Sequence, residues 1–250
     1  PYSMRSHTIP LLLLSFILIS PSLAHLADHE HTANCTHDHQ DFPEPEFIQA
    51  DEDFRVLEDD EDHHAGRNLA SYPNMRIYGY YGGLAGAPAS YKTYMQTVLG
   101  PAVISYFEGA LRVKHPLTSK LKLSNTVCGI STSTALRNGV SADYVVMFQS
   151  TSDTKGSWVA ESYSCSLSSA TKRPLVGKTN LNRALFKNPG SDILLHEKNI
   201  YLVLHEMTHS LGFSSSLYKY YLTPTGKVRT GHILTRSTAL GNAQVLNVEP

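Results

Sequence analysis

One segment, residues 192–213, constrains the fold and the chemistry of this 250-residue chain more than any other. At its centre lies His205-Glu206-Met207-Thr208-His209, an H-E-x-x-H motif. Ser191 or Asp192 can cap the start of a helix here, and Gly212 can end it. Apolar and neutral residues recur around the motif at helical spacing and predict an amphipathic helix; they are Ile193, Leu194, Ile200, Tyr201, Leu204, Thr208 and Leu211.

The two histidines of the motif predict a metal site. Residues four apart lie on the same face of a helix, so His205 and His209 can bind one zinc ion (Zn²⁺). Glu206 is rotated by about 100° from His205 and is predicted to be the general base that activates water. Zinc lowers the pKa of a water that it binds to near neutrality. A core helix with two unrelated histidines is the alternative, although buried histidines need polar partners.

Residues 205–214 (H-E-M-T-H-S-L-G-F-S) resemble the active-site helix of the leishmanolysin family of metzincin zinc peptidases. Metzincins at large continue as H-E-x-x-H-x-x-G-x-x-H, whereas this chain has Ser215 at the third histidine. Leishmanolysins depart in the same way, with several dozen residues before that histidine. The resemblance thus implies that the third zinc ligand lies beyond residue 250. The 250 residues would then be an N-terminal fragment that is inactive by itself. His232 is a weaker candidate for the third ligand. A thermolysin-like zinc site would need a downstream glutamate ligand, and the chain has no acidic residue between Glu206 and Glu249.

Residues 1–24 predict a secretory signal peptide, with Arg5 followed by the apolar run 11–19 and small residues at 22–24. An uncleaved membrane anchor is the alternative. We expect a protein of the secretory pathway that becomes extracellular or reaches the cell surface. Free secretion and membrane association through a lipid anchor are both compatible with this signal.

Residues 25–70 are predicted to be an acidic, histidine-rich propeptide, with 14 acidic residues against two arginines. Residues 71–250 carry 18 basic against 8 acidic residues, and opposite charges would hold the propeptide on the domain. Cys35-Thr36-His37-Asp38 resembles the C-x-H-D of the leishmanolysin pro-segment. This implies that Cys35 is a cysteine switch, whose thiolate occupies the coordination position of zinc at which water must bind. A disordered linker or non-specific metal binding by its histidines are the alternatives. We expect the activating cut near Arg67.

Residues 71–250 predict an α/β domain. Strands are expected at 75–81 and 144–148, and a helix at 90–111 that Gly100-Pro101 kinks. Cys128 and Cys165 flank the central strand and are the natural disulfide pair, unless all three cysteines are reduced or bond elsewhere. The segment 173–182, with its R-P-x-x-G and N-x-N, also resembles leishmanolysins, in which this strand borders the cleft and offers an edge to substrate.

The resemblance implies a metzincin-like N-terminal catalytic subdomain. A twisted mixed sheet, mainly parallel, would pack on the long helix and the zinc-binding helix, with the C-terminal subdomain missing. The expected function is a zinc metalloendopeptidase that acts on protein or peptide substrates. A non-catalytic cell-surface or adhesion protein with the same fold is one alternative, and a metal-buffering protein is another. Beyond the basic charge of residues 71–250, no feature suggests nucleic-acid binding.

Overall fold

The computed structural model describes residues 42–53, 72–222, 227, 233–238 and 241–246. Several predicted features lie outside these residues: the signal peptide at 1–24, the Cys35 motif, the cut near Arg67 and the weak ligand candidate His232. Among the described residues, no helix has the length and apolar character needed to cross a membrane.

The described chain alternates strands and helices in a mixed α/β order, as predicted. The strands are β1 (Glu46–Ile48), β2 (Ile77–Gly83), β3 (Thr126–Val127), β4 (Ile130–Ser131), β5 (Tyr144–Thr151), β6 (Ala160–Ser168), β7 (Pro174–Asn182), β8 (Ile233–Thr238) and β9 (Gly241–Leu246). The helices are α1 (Ala89–Tyr94), α2 (Gly100–Ala110), α3 (Thr134–Asn138) and α4 (Ile193–Ser210), with a π-helical segment (Met95–Leu99) and a 3₁₀ helix (Ser215–Tyr220).

Five strands form the main sheet in the order β1-β6-β7-β5-β2. The pairs β1–β6, β7–β5 and β5–β2 are parallel, and β6–β7 is antiparallel, so the predicted mixed and mainly parallel sheet is confirmed. The expectation that β7 offers a free edge to substrate is wrong, because β5 and β6 occupy both of its sides. The edge nearest to it belongs to β6, where β1 pairs only with Ser166–Ser168.

The central strand β5 separates two apolar cores. Tyr144, Val146 and Phe148 pack with α1, α2 and α4, whereas Val145 and Met147 face residues of the 117–140 region. These five side chains are fully buried, because side chains alternate between the two faces of a strand and both faces are covered. The Cys128–Cys165 disulfide spans 37 residues, with a Cα–Cα distance of 5.6 Å, and is confirmed as the pair.

The long helix forms where it was predicted, but its irregularity differs from the expected proline kink. The backbone stays helical from Ala89 to Ala110, and the turn before Pro101 widens into the π-helical segment 95–99. Proline has no amide hydrogen and its ring crowds the preceding turn. The amide of Gly100 therefore bonds to the carbonyl of Met95, five residues back, and the helix continues past Pro101.

The helix α4, which carries the H-E-x-x-H motif, begins and ends as predicted. The side chain of Asp192 accepts a hydrogen bond from the amide of Leu195 at 3.0 Å and caps the first turn. After Leu211, Gly212 adopts φ 133°, a conformation that favours glycine and turns the chain away from the helix.

The predicted apolar face of α4 is confirmed only in part. Ile200, Leu204 and Leu211 are partly buried and pack against the core, whereas Ile193, Leu194 and Tyr201 are 75%, 63% and 61% exposed. The fully buried residues of the helix are Asn199, Val203, Glu206, Met207 and Ser210. Two of the polar residues in this set have partners in the protein: the amide of Asn199 donates to the carbonyl of Lys187 at 3.0 Å, and Oγ of Ser210 donates to the carbonyl of Met207 at 3.0 Å. A search for apolar periodicity cannot find a face that is buried through such bonds.

The first described segment, residues 42–53, belongs to this fold. Its strand β1 adds an edge strand to the sheet. Glu52 forms an isolated antiparallel β-bridge with Leu117, in a different part of the domain. The fold therefore uses residues on both sides of the boundary predicted at residue 71.

Candidate active site

The two histidines of the motif come together on the outer face of α4. The Nε2 atoms of His205 and His209 lie 3.2 Å apart. The Nδ1 atom of His209 lies 2.8 Å from the carbonyl oxygen of Phe213. Because a carbonyl can only accept, Nδ1 carries the hydrogen, and the Nε2 atom of a neutral His209 presents a lone pair.

The distance between the two Nε2 atoms is suitable for binding one metal ion. Two nitrogens bound at about 2.1 Å to one tetrahedral zinc lie about 3.4 Å apart, close to the separation of the two Nε2 atoms. A carbonyl that fixes the tautomer of a ligand histidine is the usual outer-shell contact of zinc sites. His205 and His209 could thus hold a divalent metal through Nε2.

Glu206 lies on the inner side of the same turn. Its side chain is 1% exposed, and Oε2 has no hydrogen-bond partner among the described residues. Burial, together with the negative charge of Glu161 on β6, raises the pKa of Glu206 to about 8. A carboxyl group with a pKa near neutrality can both take up and release a proton at physiological pH, as a general base must.

The last turn of α4 is fixed to the sheet by a buried polar cluster of three side chains. The hydroxyl of Tyr144 donates to Oγ of Ser210 at 2.8 Å, and Oγ of Ser164 donates to the carbonyl of Ser210 at 2.6 Å. Ser210 directly follows His209, so these bonds from β5 and β6 set the position of the second histidine.

Gly177 is the glycine of the R-P-x-x-G pattern, and its surroundings explain why a glycine is needed there. A Cβ atom at this position would lie 2.7 Å from Cβ of Ser210 and would clash with the hydroxyl of Tyr144. The absence of a side chain on β7 therefore lets α4 approach the sheet closely. The arginine of the same pattern, Arg173, is mostly buried and pairs with Glu52 at 2.9 Å.

The two asparagines of the N-x-N pattern hold the chain around β6. Asn182 is fully buried, and its amide donates to the carbonyls of Asp153 and Trp158 at 2.9 and 3.0 Å. Asn180 donates to Glu161 Oε1 at 2.8 Å. Asn182 thus fixes the loop that precedes β6, and Asn180 orients the acidic residue whose charge acts on Glu206.

Of the predicted site residues, the structure brings His205 and His209 together, and it places Glu206 on the inner side of the same turn. Among the described residues, no group of three or more His, Cys, Asp or Glu side chains could hold a metal. The Nδ1 atom of His196 contacts the hydroxyl of Tyr94 at 3.0 Å, so this histidine is held by a different part of the domain. His115 contacts the carbonyl of Asp53 and takes no part in the site.

The sequence analysis missed three residues that act on the site: Glu161, Tyr144 and Ser210. Tyr144 and Ser210 were not identified because hydrogen bonds between distant positions leave no periodic pattern. The glycine of R-P-x-x-G was a usable signal, since a glycine within a strand often marks the close approach of another backbone.

A comparison with protein-family models agrees with this description. Residues 90–232 match the family model of the leishmanolysins, peptidase family M8. This range covers more than half of the 250 residues and includes β5, β6, β7 and α4. The comparison with curated proteins gave no match. The extent of the family match, together with the fold and motif that it contains, means that the chain belongs to the leishmanolysin family of metallopeptidases.

Proposed function

We propose that the protein is a zinc-dependent metalloendopeptidase in which His205 and His209 bind the metal and Glu206 is the catalytic base. The observation that carries the proposal is one turn of α4. There, two imidazole Nε2 atoms lie 3.2 Å apart, and the carboxyl group of Glu206, between them in sequence, is buried without a partner for Oε2 among the described residues.

The bound zinc would supply Lewis acidity, which polarises a peptide carbonyl and makes water a stronger acid. The protein supplies position: the carbonyl of Phe213 orients His209, and the Tyr144–Ser210 bond holds the helix that carries both histidines. A third protein ligand completes most catalytic zinc sites, and by resemblance to the family it lies beyond residue 250.

Glu206 performs the proton transfers in this proposal. As a carboxylate it takes a proton from the attacking water, and as a carboxylic acid it returns that proton to the leaving amine. A pKa near 8 keeps these two forms close in free energy at neutral pH. Bound zinc is a nearby positive charge, which would lower this pKa toward neutrality and favour the carboxylate before attack.

The open part of the β6 edge suits an extended peptide substrate. Within the described part of the chain, β6 has β7 on one side, and β1 covers only Ser166–Ser168 on the other. No described strand pairs with residues 160–165 on that side, although the ring of Phe42 stacks on Tyr163 there. A substrate strand could pair along this part of β6, beside Glu161 and the motif helix. This supports an endopeptidase, because strand pairing recognises the backbone of a chain rather than its terminus.

Latency through Cys35 is a second part of the proposal. Cys35 lies seven positions before Phe42, a length of chain that reaches at most about 25 Å. The ring of Phe42 stacks on Tyr163, two residues from Glu161. A thiolate that binds zinc would exclude water from the metal. The disulfide supports passage through the secretory pathway, as expected for a secreted or surface peptidase.

The test compares hydrolysis of an unstructured protein by the complete gene product and by its Glu206→Gln variant, with zinc content measured in both. Glu206→Gln should retain zinc and lose at least about a thousandfold in kcat/KM, because glutamine cannot accept the proton. Peptidase activity within tenfold of the parent would remove Glu206 from the mechanism. In the same assay, Cys35→Ala should be active without processing, and full latency of that variant would exclude the switch.

A further inference from the structure

Residues 42–53, named here the N-terminal clasp, are held by the rest of the fold at both of their ends. At the first, β1 runs parallel to the end of β6, with Glu46, Phe47 and Ile48 in register with Ser166, Leu167 and Ser168. At the second, the amide of Asp53 donates to the carbonyl of Pro116 at 2.8 Å, and the amide of Thr118 donates to the carbonyl of Asp51 at 2.8 Å. The clasp thus joins two separate edges of the domain.

Glu52 provides the strongest contact of the clasp. Its side chain is completely buried, although the segment comes from the most acidic and least apolar part of the chain. Its carboxylate accepts hydrogen bonds from the hydroxyls of Ser168 and Thr171 at 2.5 and 2.8 Å, and from Nε of Arg173 at 2.9 Å.

Arg173 depends on this carboxylate. Its side chain is 17% exposed, and its remaining donors bond to the carbonyls of Asp143 and His115. Those carbonyls are neutral, so Glu52 is the carboxylate in direct contact with the guanidinium, and the charge of Asp143 acts on it from further away. Loss of Glu52 from its place would leave a mostly buried positive charge without its contacting counter-ion, which is unfavourable.

Two aromatic residues of the clasp pack against rings of the domain. Phe42 stacks on Tyr163 with ring centroids 4.9 Å apart, and Phe47 packs edge-on against Tyr220 at 5.4 Å. The ammonium group of Lys172 lies 4.5 Å above the ring of Phe47. At this end of the clasp an exposed ion pair between Glu44 and Lys219 adds to the aromatic contacts, and Phe47 is 46% exposed. The contacts of Glu52 at the other end are buried and therefore shielded from salt.

We propose that the clasp stays bound to the domain after the chain is cut between residues 54 and 71, so that the cut protein is a two-chain complex. A cut in this region would therefore not by itself release the segment that carries Cys35. Release would need a second event that breaks the clasp, such as a further cut within residues 42–53 or local unfolding of the end of β6.

The experiment uses the full chain with Cys35→Ala and a recognition sequence for a site-specific endoprotease placed within residues 58–67. A chelator is present throughout, so neither the cysteine nor a metal can hold the fragments together, and retention does not depend on peptidase activity. After mass spectrometry shows complete cutting, gel filtration is run in 0.15 M and in 1 M NaCl. We expect the N-terminal fragment to elute with the domain at both salt concentrations.

Two results would overturn the proposal. Separate elution of the fragment at 0.15 M NaCl would mean that the clasp does not hold. Co-elution at 0.15 M but separation at 1 M would mean that the opposite net charges hold the fragment and that the buried contacts do not.

Matched variants assign the retention to Glu52. Glu52→Gln should release the fragment about a hundredfold faster or more, because it leaves Arg173 without its counter-ion. Glu46→Gln removes the same charge from an exposed position of β1 and should match the parent. Equal release from both variants would contradict the role of Glu52. If Glu52→Gln does not fold, Thr171→Val removes a hydroxyl donor to Glu52 and should speed release about tenfold; release at the parent's rate would then overturn the assignment.

Discussion

The hydroxyl of Tyr144 donates a 2.8 Å hydrogen bond to Oγ of Ser210, which joins the central strand to the last turn of the motif helix. Both residues are fully buried, and Ser210 adjoins the second histidine of the motif. The position of His209 relative to the sheet is therefore set by buried residues between the sheet and the helix. In the proposed mechanism these residues contact neither a metal nor a substrate.

Tyr144→Phe should weaken this connection without opening a cavity. The variant loses one buried hydrogen bond, while Oγ of Ser210 keeps its bond to the carbonyl of Met207 at 3.0 Å. We expect a loss of about 1 kcal/mol in the free energy of unfolding and a small decrease in zinc affinity. Urea denaturation measures the first quantity. A variant as stable as the parent would mean that the bond contributes nothing.

Gly177→Ala should have a larger effect at the same place. The new methyl group would overlap the hydroxyl of Tyr144 and approach Ser210 too closely, so α4 must move away from β7. Overpacking of this kind costs about 1–3 kcal/mol, and thermal unfolding should register it. The control is Gly109→Ala in α2, where a methyl group meets nothing within 4 Å and should leave stability equal or slightly higher. Equal stability of Gly177→Ala and the parent would contradict the close approach.

These contacts illustrate what the sequence could and could not predict. The helix around H-E-x-x-H and its cap at Asp192 followed from local patterns, because capping and motif spacing act within a few residues. The Cys128–Cys165 pair followed from the position of the two cysteines on either side of the central strand. The sequence analysis missed β6, because more than half of its buried positions are serines rather than apolar residues. The hydroxyls of Ser162 and Ser164 bond across to β7 and α4, which makes their burial possible.

The clasp was missed for a related reason. Glu52 belongs to a run of acidic residues that predicts a solvated segment, and its burial depends on Arg173, 121 positions away. Charge composition cannot identify which member of such a run meets a buried arginine. The predicted propeptide and the domain were expected to attract each other through net charge, whereas the described contacts are specific ones.

Asp143 should make stability depend on acid. Burial by itself would raise the pKa of this carboxyl group, but hydrogen bonds from Arg76 and from the amide of Leu117 outweigh that effect and lower the pKa below its ordinary value. A carboxylate with a lowered pKa in the folded state stabilises the protein above its unfolded pKa of about 3.9. This contribution is lost as the pH falls through that value toward the folded pKa.

The variant Asp143→Asn isolates this contribution. It should lower the free energy of unfolding at pH 7 by about 2–3 kcal/mol, a moderate value because the side chain of Arg76 is 43% exposed. The difference between variant and parent should shrink when denaturation is repeated below pH 4. A constant difference from pH 7 to pH 3 would show that the charge of Asp143 is not the cause.

The disulfide should stabilise the domain by restricting the unfolded chain. It closes a loop of 37 residues, so replacing Cys128 and Cys165 together by alanine should cost about 2–4 kcal/mol. Thermal unfolding of the double variant, compared with the parent under non-reducing conditions, measures this loss. The difference should disappear when the parent is fully reduced, and a difference that persisted after reduction would assign the loss to side-chain packing.

The most direct test of the central claim is a zinc titration by calorimetry, in a chain with Cys35→Ala and with its seven histidines between 25 and 64 replaced by glutamine. Binding then reports on the motif and not on the histidine-rich segment. We predict one zinc ion per chain, affinity at least about a hundredfold lower in His205→Ala and in His209→Ala, and near-parental affinity in Glu206→Gln. Equal zinc affinity of the parent and both histidine variants would contradict the assignment of these two residues as metal ligands.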